Sequence, residues 1–240
     1  ADAELDFEAH RFRAAEFPLL QSVKVQAALA DGRLALNAFD LGLAKGHATG
    51  RAALDLREPA MAVEADVQAR GLRLEAMLPE QKAAKRITGS LQARVEVKAA
   101  GDSLAALLAS ATGSITASLA DATISSRLDA EMGLQGGKIL RSMITGAEPI
   151  AIGCAAMVLD LQRGSGRVRT LVIDTEHTRT TGTGTIGLRD RSLDLVLTPQ
   201  AKQGGLFVLD RSIRLHGPLL KPQHSLVDRA AAVAGRACAG

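Results

Sequence analysis

The chain has 240 residues, 47% hydrophobic and 23% charged, a length that suits one or two domains with a sizeable core. It contains no Trp, no Tyr and only 5 Phe, which excludes a core of aromatic anchors and an aromatic platform for stacking bases. Its net charge of +3 comes from 29 Lys and Arg against 26 Asp and Glu, alternating in sign along the same segments, so nucleic acid is not an expected partner.

Alternation with a period of two, the mark of strands with one apolar face, runs through most of the chain. Leu5, Phe7 and Ala9 open it, and Val23, Val25, Ala27 and Leu29 continue it. Asp31-Gly32 is a hairpin signal, after which Leu34, Leu36 and Ala38 keep the pattern. Ala48 to Leu56 and Met61 to Ala69 follow. A short helix is expected within 71–85, around Leu74, Met77 and Leu78. A new strand series starts at Ile87, with Leu91, Ala93, Val95 and Val97 on one parity. Asp102 or Ser103 caps a helix in which Leu104, Leu107, Leu108 and Ala111 share a face. A weaker helical window spans 127–145 around Ile139, Leu140, Met143 and Ile144, and the Ala-rich tail 225–238 reads as a terminal helix. Further strands are expected over 168–174, 180–188, 192–198 and 213–216. Turn signals separate them: Glu58-Pro59, Gly101-Asp102, Gly164-Ser165-Gly166, Asp190-Arg191 and Gly217-Pro218. Short strands spaced in this way predict an antiparallel, meander-like, mainly β fold with helices as caps and connectors. The shift near residues 71–90 divides the chain into segments 1–86 and 87–240.

No run nears the roughly 18–20 apolar residues of a spanning helix. Ala1 begins in the middle of a strand-like pattern with no apolar leader, so a longer parent protein is expected. One-sided strands with few helices leave two outcomes: a sheet that closes or pairs over an ordinary Leu and Val core, or one that curls and keeps an apolar trough. Periodicity alone favours the first. A trough would reward acyl chains: at roughly 0.8 kcal/mol per buried methylene, a 16-carbon chain gains on the order of 10 kcal/mol before ordering costs.

No catalytic set emerges. Gly182-Thr183-Gly184-Thr185-Ile186-Gly187 spells GxGxxG, but its β-branched composition and the turn after it read as a glycine-bearing strand, not a dinucleotide loop. Asp160, Asp174, Glu176, Asp190 and Asp194 stand beside basic residues, as solvated cross-strand pairs do, and His177 sits on a polar edge. Two cysteines and the histidines His10, His47, His177, His216 and His224 give no metal spacing, so no metal or cofactor is expected. No serine lies in a nucleophile elbow. Cys154 and Cys238 are either one disulfide or two inert thiols.

The second half carries an ordered set of phrases. Ile150-Ala151-Ile152-Gly153-Cys154-Ala155-Ala156 is followed by 166–176 (GRVRTLVIDTE), by 182–195 with Leu197-Thr198-Pro199, and by 213–222 (IRLHGPLLKP). With 29–34 (LADGRL), Gly89-Ser90-Leu91 and the 101–113 helix segment, this order resembles the AsmA family, the bacterial envelope relatives of TamB. One departure is that the family's usual Asp-Gly turn reads Asp121-Ala122-Thr123 here.

The resemblance implies a curled, taco-like β-sheet with an apolar groove, non-enzymatic, held in the periplasm by an inner-membrane anchor that lies outside this sequence. It implies that the module binds or guides the acyl chains of phospholipid or another lipid in outer-membrane biogenesis. The alternative is an assembly factor that contacts outer-membrane or other envelope proteins. Pattern and resemblance together name Val23, Val25, Leu34, Leu36, Val63, Val67, Val95 and Val97 as groove lining. The oxidising periplasm implied by the resemblance favours a Cys154–Cys238 disulfide, and closing so long a loop would contribute roughly 4 kcal/mol.

Overall fold

The computed structural model describes residues 2–10, 20–57, 60–77, 87–124, 150–176, 178–202, 211–228 and 230. Thirteen strands pair in strict chain order into one open antiparallel sheet. They are β1 (Ala3–Ala9), β2 (Leu20–Ala30), β3 (Arg33–Leu43), β4 (Gly46–Asp55), β5 (Met61–Arg73), β6 (Ile87–Gly101) and β7 (Thr112–Ile124). The series continues as β8 (Ile150–Gln162), β9 (Ser165–Thr175), β10 (Thr178–Gly187), β11 (Ser192–Ala201), β12 (Arg211–Pro218) and β13 (Gln223–Asp228). The expected meander is the observed topology, and the sheet does not close: β1 and β13 are its two edges. The boundary drawn between 86 and 87 falls in the β5–β6 connection, across which the ladder is continuous.

The hairpins are short because the turn chemistry suits them. Asp31 and Gly32 have φ of 47° and 74°, and Arg163 and Gly164 have 48° and 74°, the two positive values that a two-residue turn matched to strand twist requires. Ala44 and Lys45 adopt the same geometry, at 49° and 64°, without a glycine.

Among the described residues two helices interrupt the meander: α1 (Leu74–Met77), within the expected 71–85 window, and α2 (Leu104–Ser110). The predicted cap of α2 is present: Ser103 is extended at φ −147°, and its hydroxyl accepts from the Ala106 N–H at 3.2 Å. Glu75 ties α1 down by accepting from Arg73 Nε at 2.8 Å and from the Gly89 N–H at 3.2 Å. Burial acts to raise its pKa, but these bonds outweigh it and hold the carboxyl below the ordinary range.

The tail differs from its expected helix, since 225–228 belongs to strand β13, where pairing with Arg211–Arg214 outweighs Ala- and Val-rich composition. The rest of that window, and the 127–145 helix, lie outside the described residues. Strand β7 had no sequence assignment. Gly113, Ile115, Ala117 and Leu119 do alternate with Ser114, Thr116 and Ser118, but such small side chains give a faint signal. Asp121, read as a departure from an Asp-Gly turn, sits inside β7 at φ 49°, where the β6–β7 register slips opposite Gly89.

Candidate functional site: one apolar face of the sheet

Directly paired residues of antiparallel strands share a face, so the register assigns each side chain to one of two surfaces. Val25, Phe39, Gly50, Val67, Val95 and Ile115 are successive partners across β2 to β7. A parallel row runs Ala27, Leu36, Ala52, Ala65 and Val97. A third runs Leu29, Leu34, Leu54 and Val63, and Val23 pairs with Leu41. All eight lining residues named from the sequence therefore stand on one face, here termed the inner face. Every one of them is half-buried: none is sealed and none is fully exposed. Toward the β1 edge the face opens further, with Phe7 45% and Leu5 59% exposed.

The same face changes character along the sheet. Leu159, Leu161, Val168, Leu193 and Leu195, from β8, β9 and β11, form one buried cluster. Val97, Ile115, Leu171, Ile186, Leu188 and Leu215 pack against it. A flat single-layer sheet leaves such side chains in water, yet Leu161 is 2% and Leu159 3% exposed, so the sheet curls and this part of the face is covered. A smaller cluster, Ala122 and Ile152, lies nearer the other end of the strands.

The opposite, outer face is ionic apart from a buried row across β9–β12, Val172, Thr181, Thr198 and Ser212. Arg169 pairs with Asp160 at 2.6 Å, Arg214 with Asp194 at 2.6 Å, and Lys202 with Asp174 at 2.8 Å, the cross-strand role expected of those carboxylates. The Arg214 guanidinium holds the Asp194 carboxyl below its usual range, and Arg214 is raised in turn. Hydrogen bonds from the Arg57 side chain and backbone pull Asp55 down to about 2. A hollow of about 970 Å³ also lies over this face and touches Leu36 and Val97. Three of its cations are engaged: Lys98 by Glu64 at 2.8 Å, Arg94 by Glu96 at 2.6 Å, and Arg51 by Asp66 at 3.6 Å.

The GxGxxG string lies within β10, a strand as expected. Its glycines serve close packing. A Cβ on Gly182 would meet the Leu171 and Leu197 side chains, and one on Gly184 would come within 2.0 Å of the Asp194 carbonyl oxygen. Among the described residues, no group of three or more His, Cys, Asp or Glu could hold a metal ion, and no helix is long and apolar enough to cross a membrane. His177 lies outside the described residues. Cys154 sits half-buried on β8, opposite Asp174, and is not a free thiol; Cys238 lies outside the described residues.

A curled antiparallel sheet with one apolar face is what the sequence phrases anticipated, and the family model described as "AsmA family" matches residues 1–171. The chain belongs to the AsmA family. It is also 26% identical over 222 residues to the AsmA family protein YhjG of Escherichia coli (strain K12). That alignment covers 92% of this chain and 32% of YhjG, so the chain spans about a third of that relative's length. No solved structure matches it. Membership in the AsmA family suggests an envelope-associated function, and AsmA family proteins are not known as enzymes.

The sequence missed the covered portion of the inner face. Its eight named residues all lie on β2, β3, β5 and β6, whereas the sealed inner-face cluster of Leu159, Leu161, Val168, Leu193 and Leu195 lies on β8, β9 and β11. The signal available was the glycine spacing of the second half, taken up below.

Proposed function

We propose that this AsmA module is a non-catalytic lipid-handling element of the bacterial periplasm, tethered to the inner membrane in its full-length setting. In this reading its half-open inner face over β2–β6 holds the acyl chains of phospholipid during outer-membrane biogenesis. The observation that supports it is the unsealed row Val25–Phe39–Gly50–Val67–Val95, aliphatic or aromatic save for one glycine and free of charge across five strands. Contiguous apolar surface of this kind on a secreted domain marks a ligand or interaction surface. Tails laid along it gain burial while head groups stay in water, and no cofactor or nucleotide is needed for that exchange.

The test is native mass spectrometry and lipid extraction on full-length protein purified in a mild detergent. Co-purifying phospholipid is expected, with loss of at least tenfold in a Val67→Asp, Val95→Asp variant whose circular dichroism is unchanged. A protein that is empty on isolation and takes up no phospholipid from vesicles overturns the reading. Photo-crosslinks from Val67 and Val95 that capture only envelope proteins transfer the role to assembly.

A further inference from the structure

Resting on that acyl-chain reading, we infer that the groove has an end inside this module: the β8–β12 part of the inner face is a fixed stopper that acyl chains meet and do not enter. Were the groove uniform, inner-face side chains would stay half-exposed along the whole sheet, as Val25, Val67 and Val95 are. Instead Leu159, Leu161, Val168 and Leu197 are 2–6% exposed, their space already filled by neighbours from this chain. A close-packed interior has no room for a second occupant, so a tail entering here would have to displace side chains already in contact.

The stopper is also tied at its margin. The Gly164 N–H donates to the Ala111 carbonyl at 2.9 Å, and the Leu188 N–H donates to the Gly164 carbonyl at 2.8 Å. These two bonds join the ends of the β6–β7, β8–β9 and β10–β11 connections into one line. A Cβ at Gly164 would lie 2.7 Å from the Leu108 carbonyl, which shows how closely α2 is seated on that line. Such backbone bonds, together with a buried cluster, make this half a rigid block instead of a lid.

The accessible stretch from β2 to β6 then spans about 19 Å at the usual strand spacing. It suits one extended acyl chain laid across the strands, entering from the β1 side, where Leu5 and Phe7 are exposed.

The experiment uses the full-length protein with vesicles of phosphatidylethanolamine and phosphatidylglycerol doped with a phospholipid carrying a diazirine in its tail. After irradiation, adducts are mapped by peptide mass spectrometry. Adducts are expected on the peptides holding Val25, Val67 and Val95, at a yield at least tenfold above that at Leu159, Leu161 and Val168. Comparable labelling of the two sets overturns the stopper and leaves the acyl-chain reading standing. Absence of adducts from both sets, with efficient labelling of a known lipid-binding control, overturns the acyl-chain reading itself.

Discussion

Strands β2–β6 and β8–β12 obey one grammar: antiparallel neighbours, period-two alternation and apolar residues on the same face. Their inner faces nonetheless differ. The first is half-open save at Ala48 and Leu72, whereas the second holds a cluster sealed to a few per cent exposure, fringed by half-buried Leu171, Ile186 and Leu215. One inner-face row shows why. Followed from β6 to β12 it reads Val97, Gly113, Leu161, Gly166, Ile186, Leu193 and Gly217, with large side chains separated by glycine at every step except Ile186–Leu193. Continued into the first half it reads Ala65, Ala52 and Leu36, with a β-carbon at every step. Glycine between two bulky neighbours removes the atoms that would resist bending toward that face, and the neighbours fill the gap. A Cβ at Gly166 would sit 2.8–3.0 Å from the Leu159 side chain, so the vacancy is already occupied. Curl and cover in this sheet are written in small residues as much as in large ones.

The comparison breaks most visibly if equivalent truncations cost the same in both halves. Leu161→Ala removes a side chain that is 2% exposed and leaves a cavity, so it should lower the free energy of unfolding by about 3 kcal/mol. Val67→Ala removes less, from a half-buried position, and should cost less than about 1 kcal/mol. Urea midpoints of the two variants check this. Equal losses would mean that the β2–β6 face is sealed after all.

A finer probe is a glycine in the neighbouring inner-face row of the second half, between Val168 and Leu195. Gly184 has φ of 140°, and its Cβ would lie 2.0 Å from the Asp194 carbonyl and 2.8 Å from the Leu195 Cα. Gly184→Ala should therefore shift both backbones and destabilise by about 2 kcal/mol. Gly153→Ala on β8 meets only the Asp174 carbonyl at 3.6 Å, an ordinary contact, and should stay within about 0.5 kcal/mol of the parent. Thermal unfolding of the pair separates crowding at Gly184 from a general effect of adding methyl groups to strands.

Much of this was legible because a period of two leaves little freedom: once Val67 and Val95 are strand residues of one parity, register must place them on one surface. The Ser103 cap was readable for the same reason, since a short hydroxyl side chain before an i, i+3, i+4 apolar run has one obvious use. Coverage was legible only in the glycine spacing of the second half, and its extent was not, because exposure depends on how far the sheet bends, and bending is a sum over strands distant in sequence. Strand β7 escaped because Ala, Ser and Thr differ too little in hydropathy for their alternation to stand out. The error at 225–228 is a propensity argument overruled by partners: Leu226 faces Ile213, and Val227 faces Ser212, whose hydroxyl also accepts from the Ala230 N–H at 2.9 Å.

The smallest effect concerns the turns that set register in each half. Asp31-Gly32 and Arg163-Gly164 place glycine at the second positive-φ position, whereas the β3–β4 turn places Lys45 there at φ 64°. An L-residue in that region is strained by about 1 kcal/mol, and glycine relieves the strain while giving back part of the gain through the freedom of the unfolded chain. Lys45 is exposed, so no packing is lost with its side chain. Lys45→Gly should therefore raise stability by about 0.5 kcal/mol, read as a small upward shift in the urea midpoint with an unchanged slope. The reciprocal change at Gly164 should be far from neutral, because its Cβ would meet the Leu108 and Ala109 carbonyls at 2.7 and 2.8 Å. Opposite signs at the two turns would show that one backbone geometry is merely a connector between β3 and β4, yet in the second half it also seats α2 against the packed block. A Lys45→Gly variant that loses stability would show instead that the lysine turn is not strained, and the glycine in the other two turns would then owe its place to packing alone.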